Sequence, residues 1–260
     1  MTDLFPAADR ADRQAARQLL SRLASGTSLT RRHLNEAMVS AFGGSDAEGR
    51  WTQRESFEVL EHALALHIRA LGSSISSFRD VLPMIELAGR LPTQTVRSED
   101  QIEWQQFSTP VDIAAVAVLL ANVQPDDVIL EPSAGNGLLV AHIPAHRSLH
   151  LNEIDRVRRG RLADVFPAAT VTGHDGATLN SSLGDTERPT LILMNPPFSR
   201  SLGRGADDYA AVRHLQAALR RLLPGGRIVA IMPDWFGPHA RMRDQYETLL
   251  RDVTVRTAIR

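Results

Sequence analysis

The sequence predicts an α/β fold in which a doubly wound, mostly parallel sheet follows an N-terminal helical region. Three observations support this prediction. Residues 1–95 show helical apolar spacing, short apolar runs alternate with helical stretches from residue 109 onward, and 260 residues suit one α/β domain plus a smaller region. We therefore predict a helical region over residues 1–95 and a second domain over residues 96–260, with residues 92–106 as a polar linker.

Four helices are predicted in the N-terminal region. The first covers Ala11 to Leu23, and the second is capped by Thr30 and runs to about Phe42. The third carries an apolar stripe with spacings of 3, 4, 4 and 3 residues, formed by Phe57, Leu60, Leu64, Ile68 and Leu71. The fourth runs from Phe78 to Leu91, with Pro83 near its start. We expect this region to pack against the rest of the protein and to take no direct part in catalysis.

Strands and helices alternate after residue 109. The predicted strands are Val128–Leu130, Ser148–Asn152, Thr170–Thr172, Leu191–Met194, Arg227–Met232 and Thr254–Ile259. The predicted helices are Val111–Leu120, Arg156–Val165, Tyr209–Leu223 and His239–Leu250. Short apolar strands separated by helices indicate a parallel sheet that is covered on both faces.

Composition and charge exclude several classes of protein. The net charge of −1 gives no overall basic field for nucleic acid, and the absence of cysteine excludes disulfides, thiolate metal sites and a cysteine nucleophile. The first ten residues lack the apolar core of a signal peptide, and no apolar run approaches the roughly 20 residues that span a bilayer. We expect a cytoplasmic protein without a membrane anchor.

A glycine-rich loop follows the first predicted strand. Glu131-Pro132-Ser133-Ala134-Gly135-Asn136-Gly137 matches neither the dinucleotide fingerprint nor a phosphate loop. An acidic residue followed by two glycines suits a ligand that carries an amino group and no phosphate, and S-adenosylmethionine (SAM) meets that description. The alternative is an ordinary tight turn between a strand and a helix.

Acidic residues also follow the second and third strands. Glu153 lies 18 residues after Gly135, where a carboxylate can accept both hydroxyls of a ribose. Asp155 suits the N-cap of the next helix. Asp175, in Gly173-His174-Asp175-Gly176, can accept from an adenine amino group or simply stabilise a turn.

Asn195-Pro196-Pro197-Phe198 comes directly after the fourth strand. Such a turn presents a side-chain amide oxygen and a fixed backbone carbonyl as two acceptors for one amino group, beside an aromatic ring. It therefore indicates a site where an exocyclic nitrogen is methylated. The alternative is a rigid turn with a core phenylalanine.

Taken in order, these motifs resemble the class I SAM-dependent methyltransferases, specifically the adenine-N6 DNA methyltransferases. Gln106-Phe107-Ser108-Thr109-Pro110 looks like the Gln-Phe-x-Thr-Pro element that precedes the glycine loop in that family. The order is similar to the gamma class and to type I modification subunits, and the resemblance covers about residues 105 to 237. It implies a Rossmann-like sheet that uses SAM as cofactor and DNA as substrate.

The resemblance also implies roles for individual residues. Asn195 and Pro196 would hold the target amine, Pro197 would fix the turn and Phe198 would stack on the base. Thr109 and Glu131 would contact the methionine end of the cofactor. The complete implied cofactor site is Phe107, Thr109, Pro110, Glu131, Ser133, Ala134, Gly135, Asn136, Gly137, Glu153, Ile154, Asp175 and Gly176.

Two departures from the family bear on specificity. The sheet is expected to lack its last strand or strands, and no target-recognition region is visible. The N-terminus, with Leu29 to Asn35 and Ala41 to Asp46, looks like the start of strawberry-notch-like methyltransferase–helicase fusions of phages and conjugative elements. A recognition subunit or fused helicase region is therefore an expected partner, within a restriction–modification or anti-restriction system.

Other candidate residues are weaker. Ser199 to Asp208 is expected to be a mobile loop whose Arg200 and Arg204 meet phosphates or only solvent. Trp235 and Phe236 either line the substrate side or pack. The basic run Arg156, Arg158, Arg159 and Arg161 is expected to be a solvated helix face. No metal site is expected, since Pro144 breaks the helical spacing of His142 and His146.

Alternative functions remain open from the sequence. Enzymes that methylate guanine N2 in RNA or glutamine in protein also use Asn-Pro-Pro-aromatic turns, although the Thr-Pro element favours DNA. A SAM-binding module of a larger machine, without activity of its own, is the third interpretation.

Overall fold

A computed structural model describes residues 7–72, 74–93, 108–183, 188–198, 200–201, 205–207 and 209–259. Only the backbone is described for residues 7, 8, 200, 201, 205 and 206. The predicted domain boundary at residue 95 and most of the predicted linker lie outside these ranges. The division into two domains therefore stays a prediction.

The N-terminal region is helical, as predicted. Its helices are α1 (Ala7–Ala24), α2 (Arg31–Phe42), α3 (Gln53–Leu71) and α4 (Phe78–Ala88). The Thr30 hydroxyl caps α2 by accepting from the His33 backbone N–H. At the start of α3, Thr52 and Glu55 accept from each other's backbone N–H groups, which is a capping box.

Two details of these helices differ from the prediction. Leu71 was predicted on the buried stripe but is 51% exposed, because it is the last residue of α3 and lies beyond the helices that cover the stripe. Helix α4 ends at Ala88 instead of Leu91. Gly89 follows directly, and Pro92 disfavours helical backbone at the residue before it.

A five-stranded parallel sheet forms the centre of the remaining chain. Its strands are β1 (Val128–Glu131), β2 (Ser148–Asn152), β3 (Thr170–Thr172), β4 (Leu191–Met194) and β7 (Arg227–Ala230). The order across the sheet is β3-β2-β1-β4-β7, and every pairing is parallel. The remaining strands, β5 (Arg200–Ser201) and β6 (Gly205–Ala206), form a separate antiparallel hairpin.

Helices precede, connect and follow the parallel strands. They are α5 (Val111–Ala121), α6 (Arg156–Val165), α7 (Leu179–Ser182), α8 (Ala210–Arg221) and α9 (Arg243–Leu249). The chain moves outward from β1 to β3 and then returns to continue on the other side through β4 and β7. This doubly wound, Rossmann-like arrangement confirms the predicted fold class and places a crevice between β1 and β4, at the carboxyl ends of the strands.

The central strands are buried on both faces. All four residues of β4 are fully buried, and so is every residue of β1. One hydrophobic cluster extends from Leu19 and Leu64 in the N-terminal helices to Leu139 and Leu151 beside the sheet. The N-terminal helices therefore share a core with one side of the sheet.

The prediction of a strand at Thr254–Ile259 is wrong. These residues form no strand, and both Val255 and Ile259 are exposed. Their alternating β-branched pattern favours a strand, but within the described residues no neighbouring strand pairs with it. In the described chain, no helix has both the length and the apolar character needed to cross a membrane.

Candidate active site

The predicted site motifs meet at the carboxyl edge of the sheet. Glu131 ends β1, Glu153 follows β2 and Asn195 follows β4. Parallel pairing places these ends side by side, since Glu131 is in register with Leu151 of β2 and Leu130 with Ile192 of β4. The crevice at the topological switch point is thus lined by the groups that the sequence singled out.

The glycine-rich loop needs both of its glycines, for different reasons. Gly135 has φ of 56° and Gly137 has φ of 84°, and residues other than glycine rarely adopt backbone angles in this left-handed region. A Cβ at Gly137 would lie 2.5 Å from Phe166 Cε2, so this glycine allows α6 to pack closely. A Cβ at Gly135 would meet no described atom within 4 Å, so the loop faces open space there.

Glu153 holds this loop from the sheet side. Its Oε2 accepts from the Gly135 N–H at 2.8 Å, and its Oε1 accepts from the Asp155 N–H at 2.8 Å. Burial raises the pKa of Glu153, although these hydrogen bonds and the charge of Arg158 act in the opposite direction. A carboxylate has about four lone-pair sites, so acceptor capacity remains for a ligand hydroxyl. Asp155 caps α6 by accepting from the Arg158 N–H, as predicted.

Glu131 is the most unusual group at this edge. It is 2% exposed, and its Oε2 has no hydrogen-bond partner among the described residues. Burial, with a contribution from the nearby charge of Glu153, raises its pKa well above the ordinary value of 4.5. Buried polar atoms are nearly always paired, so an unpartnered carboxyl oxygen at a crevice fits a ligand that brings hydrogen-bond donors.

Asn195 is oriented by Thr109. Its Nδ2 donates to the Thr109 hydroxyl at 3.0 Å, and Thr109 is buried. One N–H of the amide is thereby used, and Oδ1 is the acceptor of the carboxamide. Pro196 is buried, while Pro197 and Phe198 are half-buried beside it. The turn therefore combines an amide acceptor with a half-buried aromatic side chain three residues later.

Asp175 lies at the end of β3 and is half-buried. Its carboxylate accepts from the Ala177 N–H and so caps the short turn of 3-10 helix Gly176–Thr178. This contact confirms the structural role, and an adenine-binding role stays a prediction.

Sequence reasoning missed Asn152, which ties three strand ends together. Its Nδ2 donates to the carbonyls of Pro132 and His174 at 3.0 and 2.9 Å. Its Oδ1 accepts from the Thr172 hydroxyl and the His174 N–H, both at 2.9 Å. A polar residue at the end of an otherwise apolar strand is the signal that could have identified it.

His214 of α8 was also missed. Its Nδ1 lies 3.5 Å from the Ser133 hydroxyl, and a Cβ at Gly176 would lie 2.7 Å from the same nitrogen. Burial lowers the pKa of His214 to about 4, so the ring is neutral at physiological pH. It thus packs between the glycine loop and the turn that contains Asp175. The single histidine in an amphipathic helix carried no sequence signal for this contact.

The prediction that the arginines of α6 form a solvated face is wrong for two of them. Arg158 and Arg161 are 7% and 3% exposed. Both pair with Glu58 of α3, at 2.9 and 2.8 Å, and Arg161 also pairs with Asp12 of α1 at 2.5 Å. Burial of these charged groups is possible because each arginine has carboxylate partners on the N-terminal helices.

The weaker candidates have mixed outcomes. Phe107 and Arg204 lie outside the described residues, and so does the side chain of Arg200, so their roles stay predictions. The predicted mobile loop contains the β5–β6 hairpin instead of wholly irregular backbone. Phe236 packs against a second hydrophobic cluster, which includes Ile192 and Leu215. Its ring lies edge to face with that of Tyr246, with 5.6 Å between the ring centroids, which favours the packing interpretation.

Among the residues that the structure describes, no group of three or more histidine, aspartate or glutamate side chains is arranged to hold a metal ion. His142 is fully buried, and burial lowers its pKa to about 4. It belongs to the core and not to a surface ligand set.

Comparison with known proteins gives partial similarities. No protein-family model matches the chain. Ribosomal RNA small subunit methyltransferase A of Chromobacterium violaceum is 33% identical over 99 residues, which is 37% of this chain and 38% of that protein. A type II restriction enzyme and methyltransferase of Heyndrickxia coagulans is 25% identical over 175 residues, or 58% of this chain and 27% of that protein. The chain thus spans well under two thirds of the length of either curated relative.

Solved structures show low overall similarity. A Vibrio vulnificus protein assigned as the modification subunit of a type I restriction enzyme has a TM-score of 0.46 and 15% identity, covering 85% of this chain and 51% of that chain. A Listeria monocytogenes protein assigned as a class I SAM-dependent methyltransferase also has a TM-score of 0.46, with 14% identity and coverage of 94% and 79%. The fold is identified by the strand order of the sheet itself.

Proposed function

We propose that this protein is a class I SAM-dependent methyltransferase that methylates the exocyclic N6 amine of adenine in DNA. The observation that carries the proposal is the orientation of Asn195 by Thr109, which leaves the carboxamide oxygen to accept from an amine. The unpartnered Glu131 carboxyl at the neighbouring strand end supports it, because it suits the amino group of the cofactor. Both curated relatives are described as methyltransferases.

The residues at the crevice fit SAM. Gly135 opens the loop toward the ligand, and Glu131 and Glu153 offer buried acceptors on adjacent strand ends. Asp175 adds a half-buried carboxylate at the end of β3. When bound, SAM supplies an activated methyl group on its sulfonium, so the protein needs to align and stabilise rather than to act as a strong acid or base.

In the proposed reaction, the Asn195 turn binds the target amine. The lone pair of an aromatic amine is delocalised into its ring, which makes it a poor nucleophile. Asn195 Oδ1 and the Pro196 carbonyl accept hydrogen bonds from the two amine N–H groups and stabilise the positive charge that develops as the nitrogen becomes tetrahedral. The methylated nitrogen then loses one proton to solvent. The prolines restrict the backbone of the turn, and Phe198 stacks on a base that has left the duplex.

A second function, methylation of a base in RNA, is favoured by the 33% identity to a ribosomal RNA methyltransferase. The match to a restriction enzyme and methyltransferase covers more of this chain and favours DNA. A partner subunit or fused region that selects the DNA sequence is part of the proposal.

Methyl-group transfer from tritiated SAM tests the proposed function. The chain is incubated with duplex DNA, single-stranded DNA and ribosomal RNA, and the products are digested to nucleosides and separated. We expect label in N6-methyladenine from DNA. Label confined to RNA would favour the second function, and no label in any polymer would overturn both.

Asn195→Ala tests the mechanism. It should lower the rate by about 10²- to 10³-fold, as when one preorganised stabilising group is removed from a transition state. Gln216→Ala, which removes an exposed carboxamide from α8, serves as the matched control and should leave the rate unchanged. Equal rates in both variants would show that Asn195 does not hold the amine.

A further inference from the structure

A side chain of the glycine-rich loop hydrogen-bonds to the N-terminal helices. Asn136 lies between the two loop glycines and is 2% exposed. Its Nδ2 donates to Glu61 Oε2 of α3 at 2.7 Å, and its Oδ1 accepts from Arg161 Nη1 at 3.2 Å. The Asn136 carboxamide is therefore held between α3 of the N-terminal region and α6 beside the sheet.

The partners of Asn136 are themselves fixed. Arg161 pairs with Asp12 of α1 and with Glu58 of α3, one turn before Glu61. Burial alone would raise the pKa of Asp12 and Glu58, but hydrogen bonds and the charges of neighbouring arginines lower both values to about 2. Both carboxylates are thus ionised at neutral pH, and the ion pairs hold α3 and α6 against each other.

Two carboxylates from different parts of the chain therefore hold consecutive loop residues. Glu153, after β2, binds the backbone N–H of Gly135, and Glu61 binds the side chain of Asn136. Gly135 and Gly137, on either side of Asn136, are flexible residues held in left-handed backbone, so these contacts restrict a loop that its glycines would otherwise leave free.

We infer that Glu61 is a positioning residue for the cofactor, so that the N-terminal helices set the shape of the SAM-binding loop through the Glu61–Asn136 hydrogen bond. This inference rests on the proposed function, since it assumes that SAM binds at this loop. It assigns the helical region a part in cofactor binding that its sequence did not indicate.

Calorimetric titration of the full chain with SAM tests the inference. Glu61→Ala should weaken binding about tenfold, the equivalent of one hydrogen bond to a charged group. Glu61→Gln keeps an acceptor oxygen for Asn136 and should bind within about twofold of the unaltered protein. Glu86→Ala, which removes an exposed glutamate from α4, is the matched control and should bind normally.

A second pair of variants tests the same hydrogen bond in case Glu61→Ala fails to fold. Asn136→Asp places two carboxylates together and should weaken SAM binding, whereas adding Glu61→Gln to it restores a donor–acceptor pair and should recover affinity. Normal affinity in both Glu61→Ala and Asn136→Asp overturns the inference while the proposed function stands. Equal loss in Asn136→Asp with and without Glu61→Gln also overturns it. No binding by the unaltered protein overturns both proposals.

Discussion

The interface between α6 and the N-terminal helices differs sharply from the carboxyl edge of the sheet, although Asn136 and Glu153 link the two. At the interface, Arg158 and Arg161 are matched by carboxylates of Glu58 and Asp12. At the sheet edge, Glu131 has a buried oxygen without a partner in the described chain. In the first arrangement opposite charges are paired with each other, whereas the second leaves a carboxyl oxygen available to a ligand.

The largest effect should come from breaking the interface. Arg161→Ala leaves Asp12 and Glu58 buried without one of their partners and should lower the free energy of unfolding by about 3–5 kcal/mol. Arg156→Ala, on the exposed face of the same helix, should change it by no more than about 0.5 kcal/mol. Urea unfolding measures both, and similar small effects would show that the buried pairs contribute little.

Two glycines, one packed against α6 and one within it, should respond differently to replacement by alanine. Gly137→Ala combines left-handed backbone with overlap against Phe166 and Leu162, so we expect a loss of about 1–3 kcal/mol. In Gly160→Ala, on α6, the added methyl meets no described atom within 4 Å and should stabilise the helix by roughly 0.5–1 kcal/mol. In thermal unfolding, Gly137→Ala should therefore lower the stability and Gly160→Ala should raise it. A loss of stability in both variants would show that there is no room for a methyl group at Gly160.

The two regions should also respond to pH in opposite directions. The pKa of Glu131 is raised in the folded state, so its stabilising contribution is complete below 4.5 and is lost as pH rises through the higher folded value. The pKa values of Asp12 and Glu58 are lowered to about 2, so their contribution is lost as pH falls toward that value.

Glu131→Gln isolates the first of these effects. Without ligand, the free energy of unfolding of the variant should rise relative to that of the unaltered protein as the pH increases from 5 to 8, because glutamine has no proton to lose. Urea unfolding at several pH values measures the difference. A constant difference across this range would show that Glu131 does not titrate with a raised pKa.

The smallest effect is expected at Thr109. Thr109→Val removes the hydroxyl that accepts from Asn195 while keeping the shape of the side chain, and should slow single-turnover methyl transfer about fivefold. Thr109→Ser retains the hydroxyl and should transfer at nearly the normal rate. If both variants are equally slow, packing of the methyl group matters more than the hydrogen bond.

Local sequence patterns predicted much of the fold. Ser148–Asn152, Thr170–Thr172 and Leu191–Met194 were predicted to the residue, because glycine, proline or charged residues lie within three positions of both ends of each run. The strand ends then located Glu131, Glu153 and Asn195 at one edge, since parallel topology brings such ends together.

The predictions that were wrong, and the residues that were missed, involve contacts between residues distant in sequence. Burial of Arg161 requires Asp12, which is 149 residues away, and no local pattern distinguishes a paired arginine from a solvated one. Thr254–Ile259 has strand-forming residues but no adjacent strand among the described residues. Asn152 and His214 were missed because their roles arise only when separate strand ends and helices meet.

The four hydrogen bonds of the Asn152 side chain have a consequence for ligand binding. They hold the turns after β1 and β3 to the end of β2 before any ligand arrives. Because these turns are already ordered, they lose little conformational entropy when a ligand binds, and the affinity is not lowered by that cost. Backbone amides of Ala134 and His174, which donate to Asn152 itself, should therefore exchange with solvent slowly in the ligand-free protein.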